Sequence, residues 1–327
     1  MERFRVKRRP RWSYLLAIIL ILCLTVLRAK AAELEESATE KRMAIYEEFA
    51  YASSIPWYHI AAIDQYERNI AMFREEPASE LSYDTISIRI DPQRWSGSVA
   101  TLDYERDPMN IHLFAGMGRD GDGDKIADIH NEQDVMYTMV DYLTSFDQFE
   151  DALAAYYQDE RAVDIILGMA RLFEHYNTID LGERAFPVST WHNYSYSDGY
   201  GAARGWGGRR AHEGIDIFAG YGVPVLSTAY GIVEVMGWNE YGGYRIGIRD
   251  IYNTYQYYAH LQGFAEGLEE GSIVEPGQVI GSVGATGYGK EGTSGKFPPH
   301  LHFGLYKFDG RREWAFNPYP HLRRWES

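Results

Sequence analysis

The first half of the chain carries apolar residues three and four positions apart, a spacing that predicts amphipathic helices. The segments with this spacing are residues 38–53, 55–73, 134–146, 149–158 and 160–176. Pro56 suits the first turn of a helix, and Asn131, with Asp159 or Asp147, can cap helix N-termini. Residues 83–91 (YDTISIRID) instead alternate apolar and polar side chains, as a strand does.

The pattern changes near residues 181–187, where glycine becomes dense and short β-branched runs alternate with turns. Such runs predict many short antiparallel strands. A chain of 327 residues is long enough for two domains, each with its own core. We therefore predict an α+β protein with a helical domain at 33–184 and a mainly antiparallel β domain at 185–327.

Residues 1–32 have the composition of a targeting segment. A strongly basic start precedes an uncharged apolar run of fourteen residues, Tyr14–Leu27. This length is typical of a signal-peptide core, and Ala29–Ala31 is a candidate cleavage site. Extended by Trp12 and Ser13, the same run could stay as a membrane anchor with its basic end inside. Both alternatives predict export, with membrane contact through this segment only.

Charge and cysteine usage narrow the class of protein further. The formal net charge is −15, and the basic residues are concentrated at the N-terminus, so the rest of the chain is more acidic still. Repulsion therefore disfavours nucleic acid as a partner. The single cysteine, Cys23, lies in the apolar run, so the exported part has no disulfide and is not a small disulfide-stapled domain.

Five residues in the last third have the composition of a hydrolytic zinc site: His212, Asp216, His260, His300 and His302. Such a site needs three protein ligands, an open position for water and a nearby group that moves protons. In His300-Leu301-His302, strand alternation places both histidines on one face and the leucine on the other.

The spacing His212-x-x-x-Asp216 includes Gly214, which we expect to permit a sharp turn so that both side chains converge on one ion. Candidates for the walls of a substrate groove are Arg204, Arg209, Arg210, Tyr241 and Tyr244.

From about Phe186 to Tyr319 the sequence resembles the lysostaphin/LytM-type zinc metallopeptidases of bacterial cell walls. The motifs that carry the resemblance are GGRRAHEGIDIFAGYGVPVLSTAYGIVEVMG, YYAHL, VEPGQVIGSVGATG, PPHLHFG and NPYPHL. The resemblance implies Zn²⁺ as cofactor, peptidoglycan peptides as substrate, and His212, Asp216 and His302 as zinc ligands. It also implies that His260 and His300 are the catalytic histidines, without saying which is the base.

The whole layout resembles the sporulation-associated L-Ala–D-Glu peptidoglycan endopeptidases, which implies a lysozyme-like helical domain. In IPWYHIAAIDQYERN, Glu67 stands where lysozyme-like transglycosylases have their catalytic glutamate, but Arg68-Asn69 replaces the usual Ser-Gly. We therefore expect a structural or wall-positioning role for this domain. Two alternatives to a zinc peptidase remain: a non-catalytic wall-binding scaffold, and a transglycosylase that acts through Glu67.

The acidic stretch 119–134 offers candidate calcium ligands with alternating spacing: Asp120, Asp122, Asp124 and Asp128. Lys125 stands where an EF-hand loop has glycine, and Asn131 replaces its final glutamate. An acidic turn without an ion is the alternative.

Overall fold

The computed structural model describes residues 38–73, 83–99, 106–204 and 210–326. The chain forms two compact units, residues 1–45 and 46–327. The described part of the first unit, residues 38–45, is helical. The predicted targeting segment lies outside the described residues. Within the described ranges, no helix has both the length and the apolar character needed to cross a membrane.

The helices come first along the chain, as the periodicity predicts. They are α1 (38–53), α2 (Trp57–Ala71), α3 (Pro92–Ser96) followed by one 3₁₀ turn (Gly97–Val99), α4 (Pro108–Leu113), α5 (Glu132–Thr144), α6 (Phe149–Tyr157) and α7 (Glu160–Tyr176). Asn131 caps α5 and Asp159 caps α7, each accepting a backbone N–H. Asp147 caps no helix, because α6 starts after Gln148, which makes no side-chain cap.

The prediction of a strand at residues 83–91 is wrong, although the alternation does mark burial. The buried side chains of this segment are Ile86, Ile88 and Ile90. No strand forms here because the backbone N–H groups find carboxylates instead of a neighbouring strand. Asp64 accepts the N–H of Ser87, and Glu132 accepts that of Thr85. An extended segment with its donors satisfied by side chains needs no sheet.

The strands follow from residue 194 onward. They are β1 (Tyr194–Ser195), β2 (Ala203–Arg204), β3 (Arg210–Ala211), β4 (Ile215–Ala219), β5 (Pro224–Leu226), β6 (Gly231–Asn239), β7 (Gly243–Arg249), β8 (Thr254–Phe264), β9 (Ile273–Val274), β10 (Val279–Val283), β11 (His300–Phe308) and β12 (Glu313–Phe316), with helix α8 (Tyr319–Trp325) after them. Every strand pair among the described residues is antiparallel. This confirms the α+β class with a mainly antiparallel β part.

The main sheet has the order β1-β4-β11-β8-β7-β6-β9, with β10 beside β5 and β8, and β12 beside β11. One face is apolar and fully buried, with Ile246, Tyr258, Leu301 and Phe303 in its core. Since side chains alternate along a strand, the residues between these lie on the opposite face. We call this opposite face the site face, because it carries His302.

The helical and β parts contact each other within the second unit. Arg161 on α7 forms an ion pair with Glu234 on β6 at 2.7 Å, and Asn69 donates to the carbonyl of Ile251 at 2.8 Å. The division into domains at 33–184 and 185–327 stays a prediction, as does the lysozyme-like character of the helical part.

Candidate active site

His212 and Asp216 lie at the start of β4, where the chain enters the main sheet. His212 follows β3, and Asp216 is the second residue of β4. The Nε2 atom of His212 lies 3.0 Å from Oδ1 of Asp216. On the other side of the ring, Nδ1 of His212 lies 2.9 Å from the carbonyl oxygen of Gly199. That carbonyl accepts the Nδ1 proton, so Nε2 presents its lone pair towards Asp216.

His302 meets this pair from β11, the neighbouring strand, where it stands opposite Asp216 in the antiparallel register. Its Nδ1 atom lies 3.0 Å from Oδ1 of Asp216 and 3.0 Å from Nε2 of His212. Burial lowers the pKa of His302, which favours the neutral ring that a metal ligand needs. Leu301 is fully buried, so the predicted alternation of the His-Leu-His run is confirmed.

These three side chains form a donor set that fits zinc. Two imidazole nitrogens and a carboxylate oxygen lie at 3.0 Å from one another. Atoms with this spacing can all bind one ion at the usual zinc bond lengths of about 2.0–2.2 Å. The structure thus brings together the three predicted ligands.

Gly214 is required beside this cluster for close packing and not for the sharp turn that we predicted. Its φ is not positive, so no sharp left-handed turn explains the glycine. Instead, a Cβ at this position would lie 2.6 Å from Cε1 of His302 and 2.6 Å from the carbonyl oxygen of Phe303. Only a residue without a side chain lets the backbone just before β4 approach the His302 ring this closely.

His260 and His300 lie together beside the three-residue cluster, with ring centroids 4.8 Å apart. Nδ1 of His260 is 2.8 Å from the carbonyl of Thr286, and Nδ1 of His300 is 2.8 Å from that of Pro298. Both carbonyls hold the ring proton on Nδ1, so Nε2 is the basic nitrogen in each neutral ring.

Both histidines are close enough to act at an ion held by the cluster. Nε2 of His300 lies 3.9 Å from Oδ1 of Asp216. Burial, followed by the charges of His300 and His302, lowers the pKa of His260 to about 3. His260 also has a φ of 63°, at the irregularity where β8 leaves the register of its neighbours. A non-glycine residue in this conformation is held there by its surroundings.

A cavity of about 300 Å³ opens on the site face and is lined by His212, His260 and His302. Tyr241 lines it, as expected. Tyr244 does not, because it packs against Trp238 and Phe264 instead. The side chains of Arg204 and Arg210, and the whole of Arg209, lie outside the described residues.

Sequence reasoning missed other walls of this cavity, chiefly the tyrosines Tyr257, Tyr288 and Tyr306. The ring of Tyr257 contacts the His302 ring edge-on at 6.0 Å, and the ring of Tyr288 stacks near His260 at 5.9 Å. A signal was present in the sequence, because Tyr306 is an even number of residues from His302 and thus shares its face.

Comparison with known proteins identifies the family. Residues 210–318 match the profile of Peptidase family M23. The chain is also 50% identical over 314 residues to the L-Ala–D-Glu endopeptidase of Bacillus subtilis (strain 168), covering 95% of this chain and 96% of the relative. The chain belongs to peptidase family M23.

Lysostaphin from Staphylococcus simulans is a more distant relative, 32% identical over 133 residues, or 40% of this chain and 25% of lysostaphin. The solved catalytic domain of lysostaphin aligns with a TM-score of 0.34 at 32% identity, covering 43% of this chain and 99% of that domain. The match to the Bacillus enzyme, unlike these, includes the helical part.

Glu67 lies in the helical part of this M23 peptidase, on α2, and is 2% exposed. The hydroxyl of Tyr157 donates to its carboxylate at 2.9 Å. A general acid must reach its substrate. The burial of Glu67 therefore favours the structural role over glycan cleavage.

The carboxylates predicted to bind calcium mostly accept hydrogen bonds from backbone N–H groups of their own loop. Asp120 accepts the N–H groups of Gly123 and Lys125, while Asp124 and Asp128 each accept one further backbone N–H. Only Asp120 and Asp122 come within ligand distance of each other, together with the unpredicted Asp134. The geometry thus favours the acidic turn over the four-ligand calcium site.

Proposed function

We propose that this M23 peptidase is a zinc-dependent endopeptidase that hydrolyses the L-Ala–D-Glu bond of peptidoglycan stem peptides. The observation that carries the proposal is the 50% identity to an L-Ala–D-Glu endopeptidase over nearly the whole of both chains. Relatives that share only the β part have other names, lysostaphin and DD-endopeptidase among them.

His212, Asp216 and His302 would hold the zinc ion, in agreement with their mutual spacing of 3.0 Å. When bound, zinc acts as a Lewis acid that polarises the scissile carbonyl and makes water easier to deprotonate. His260 and His300 supply the basic nitrogens next to it. One accepts the proton of the attacking water at Nε2. The other, in its doubly protonated form, donates from Nε2 a hydrogen bond to the developing oxyanion or a proton to the leaving amine.

The place of action follows from the substrate. Peptidoglycan lies outside the cytoplasmic membrane, so the basic and apolar N-terminus would export the enzyme, either as a cleaved signal peptide or as a retained anchor. The resemblance of the whole layout to sporulation-associated endopeptidases leads us to propose a role in maturation of the cell wall or spore cortex.

Digestion of purified muropeptides followed by mass spectrometry tests the proposal. We expect new products with an N-terminal D-Glu, their loss after chelation, and their return when zinc is added. Protein that digests nothing even with added zinc would support the wall-binding scaffold. Anhydro-muramyl products that persist in chelator and vanish in Glu67→Gln would support glycan cleavage instead.

A further inference from the structure

Arg245 lies on the site face of the sheet, near the middle of β7. The next residue, Ile246, pairs with Tyr258 on β8, and both are fully buried in the apolar core. Because side chains alternate along a strand, Arg245 is on the opposite face. It therefore shares that face with His302.

The register places Arg245 in the same cross-strand row as the metal ligands. Asp216 pairs with His302, and His302 pairs with Ala259 on β8. Arg245 lies across from the irregularity at Ala259 and His260. Neighbouring strands are about 4.8 Å apart, and β8 lies between β11 and β7. Two strand spacings therefore separate the backbones of His302 and Arg245 by roughly 10 Å.

The guanidinium of Arg245 has no ion-pair partner among the described residues, and its Nε is buried without a hydrogen bond. Arg249, on the same face four residues later, is different: it forms ion pairs with Glu234 and Glu313. A half-buried arginine usually has a carboxylate partner, since burying an unpaired charge is costly. Within the part of the chain that the structure describes, Arg245 thus presents an uncompensated positive charge on the site face.

Two tyrosines of β8 lie against the glycines that come before and after Arg245 in the chain. A Cβ at Gly247 would collide with the hydroxyl of Tyr255, and a Cβ at Gly242 would collide with the hydroxyl of Tyr257. The phenol of Tyr255 therefore reaches from β8 over β7, and that of Tyr257 reaches the residue just before β7, so they contact the chain on either side of Arg245. Tyr257 and Gly242 also line the cavity over the histidines, as does Ala259 across from Arg245, so the arginine is next to residues of the cavity wall.

The chemistry of the substrate calls for such a cation; this step rests on the proposed function. D-Glu has one amine and two carboxyl groups, and the scissile bond uses the amine. Continuation of the peptide uses at most one carboxyl, so the residue after the scissile bond keeps a carboxylate. The described residues that line the cavity include Glu213 and Asp216 but no lysine or arginine.

We propose that Arg245 binds the free carboxylate of the residue that follows the scissile bond, and so selects acidic stem peptides. The long arginine side chain covers part of the roughly 10 Å between the two backbones. Its planar fork can donate two parallel hydrogen bonds to a carboxylate. The side chain is half-buried, which restricts it before substrate arrives and so limits the entropy lost on binding.

The test uses two synthetic peptides that contain L-Ala–D-Glu and differ only in whether the free carboxyl is a carboxylate or a carboxamide. We expect Arg245→Gln to lower kcat/KM for the carboxylate peptide by about ten- to a hundredfold, mainly through KM, and to leave the carboxamide peptide unchanged. Arg245→Lys should retain part of the preference. Arg311→Gln removes the same charge from the exposed turn after β11 and should change neither peptide.

Both peptides are also measured as competitive inhibitors of muropeptide cleavage, so the comparison does not depend on the carboxamide being a substrate. Equal losses for the two peptides in Arg245→Gln would indicate a structural role and overturn the inference, as would no loss for either. A wild-type enzyme that cleaves neither muropeptides nor the carboxylate peptide would instead contradict the proposed function.

Discussion

The backbone of Gly214 lies against the ring of His302, and a Cβ at residue 214 would be 2.6 Å from the Cε1 atom of that ring. The same Cβ would also lie 2.6 Å from the carbonyl oxygen of Phe303, so there is no room for the extra methyl group. Glycine at this position is therefore a condition for His302 to meet Asp216.

Replacement of Gly214 by alanine should displace the His302 ring and weaken zinc binding. A displacement of about 1 Å at a reacting group lowers rates by roughly a hundredfold. We expect a loss of that size in kcat together with a lower zinc content, measured by peptide turnover and metal analysis. Gly220→Ala is the matched control, because the nearest atom its Cβ would meet is 3.8 Å away. Wild-type zinc content and activity in Gly214→Ala would show that the sheet adjusts without harm to the site.

Measuring metal content and activity together distinguishes a histidine that binds zinc from a histidine that only transfers protons. His212→Ala removes a proposed ligand, so both zinc and activity should be lost. His260→Ala and His300→Ala remove proton carriers, so zinc should stay stoichiometric while kcat falls by about a hundred- to ten-thousandfold. Loss of zinc from His300→Ala would instead make His300 a ligand and revise the assignment.

The sequence was enough to predict the helices, the antiparallel sheet and the gathering of the five polar residues. Local rules account for this success. Asn131 and Asp159 cap helices because their short side chains reach backbone N–H groups. Likewise, strict alternation in a paired strand directs His300 and His302 to the same face.

What the sequence did not reveal depends on contacts between distant segments. The alternation of residues 83–91 marks a buried face, but the carboxylates of Asp64 and Glu132 that replace a strand partner are distant in the chain. The tyrosines around the cavity could not be predicted for the same reason, because it is the register of β8 against β11 that places Tyr257 near His302.

Glu234 on β6 accepts ion pairs from two arginines, Arg161 on α7 and Arg249 on β7, each at 2.7 Å. Arg249 is 4% exposed, so removal of this carboxylate leaves a buried cation with Glu313 as its remaining ion-pair partner among the described residues. We expect Glu234→Gln to lower the free energy of unfolding by about 2–4 kcal/mol. Urea unfolding followed by circular dichroism measures this.

The matched control for that change is Glu240→Gln, which removes an exposed carboxylate just after the same strand. A surface charge of this kind contributes at most about 1 kcal/mol to the free energy of unfolding. Equal stabilities for the two variants would mean that Glu234 does not stabilise the contact between the helical and β parts.

His59 gives the helical part a dependence of stability on pH. Its ring stacks on that of Phe149 at 3.8 Å, and burial lowers the pKa of His59 to about 4, an effect that the charge of Glu174 on α7 partly opposes. The hydroxyl of Tyr58 also bonds Glu174. In the unfolded chain the pKa of histidine is about 6.5, so the unfolded state takes up the proton first as the pH falls. The stability contributed by the neutral ring is therefore complete above pH 6.5 and is lost between pH 6.5 and 4.

His59→Phe keeps the stacked ring but cannot be protonated, so its melting temperature should fall less steeply than that of the wild type between pH 7 and 5. Between pH 7 and 5, we expect the free energy of unfolding to fall by about 1 kcal/mol more in the wild type than in His59→Phe, after allowance for the partial exposure of the ring. Melting curves at matched ionic strength measure it, and His112→Phe, at an exposed position on α4, serves as control. Parallel pH profiles for wild type and His59→Phe would show that His59 does not become charged on unfolding in this range, because the two proteins share every other titrating group.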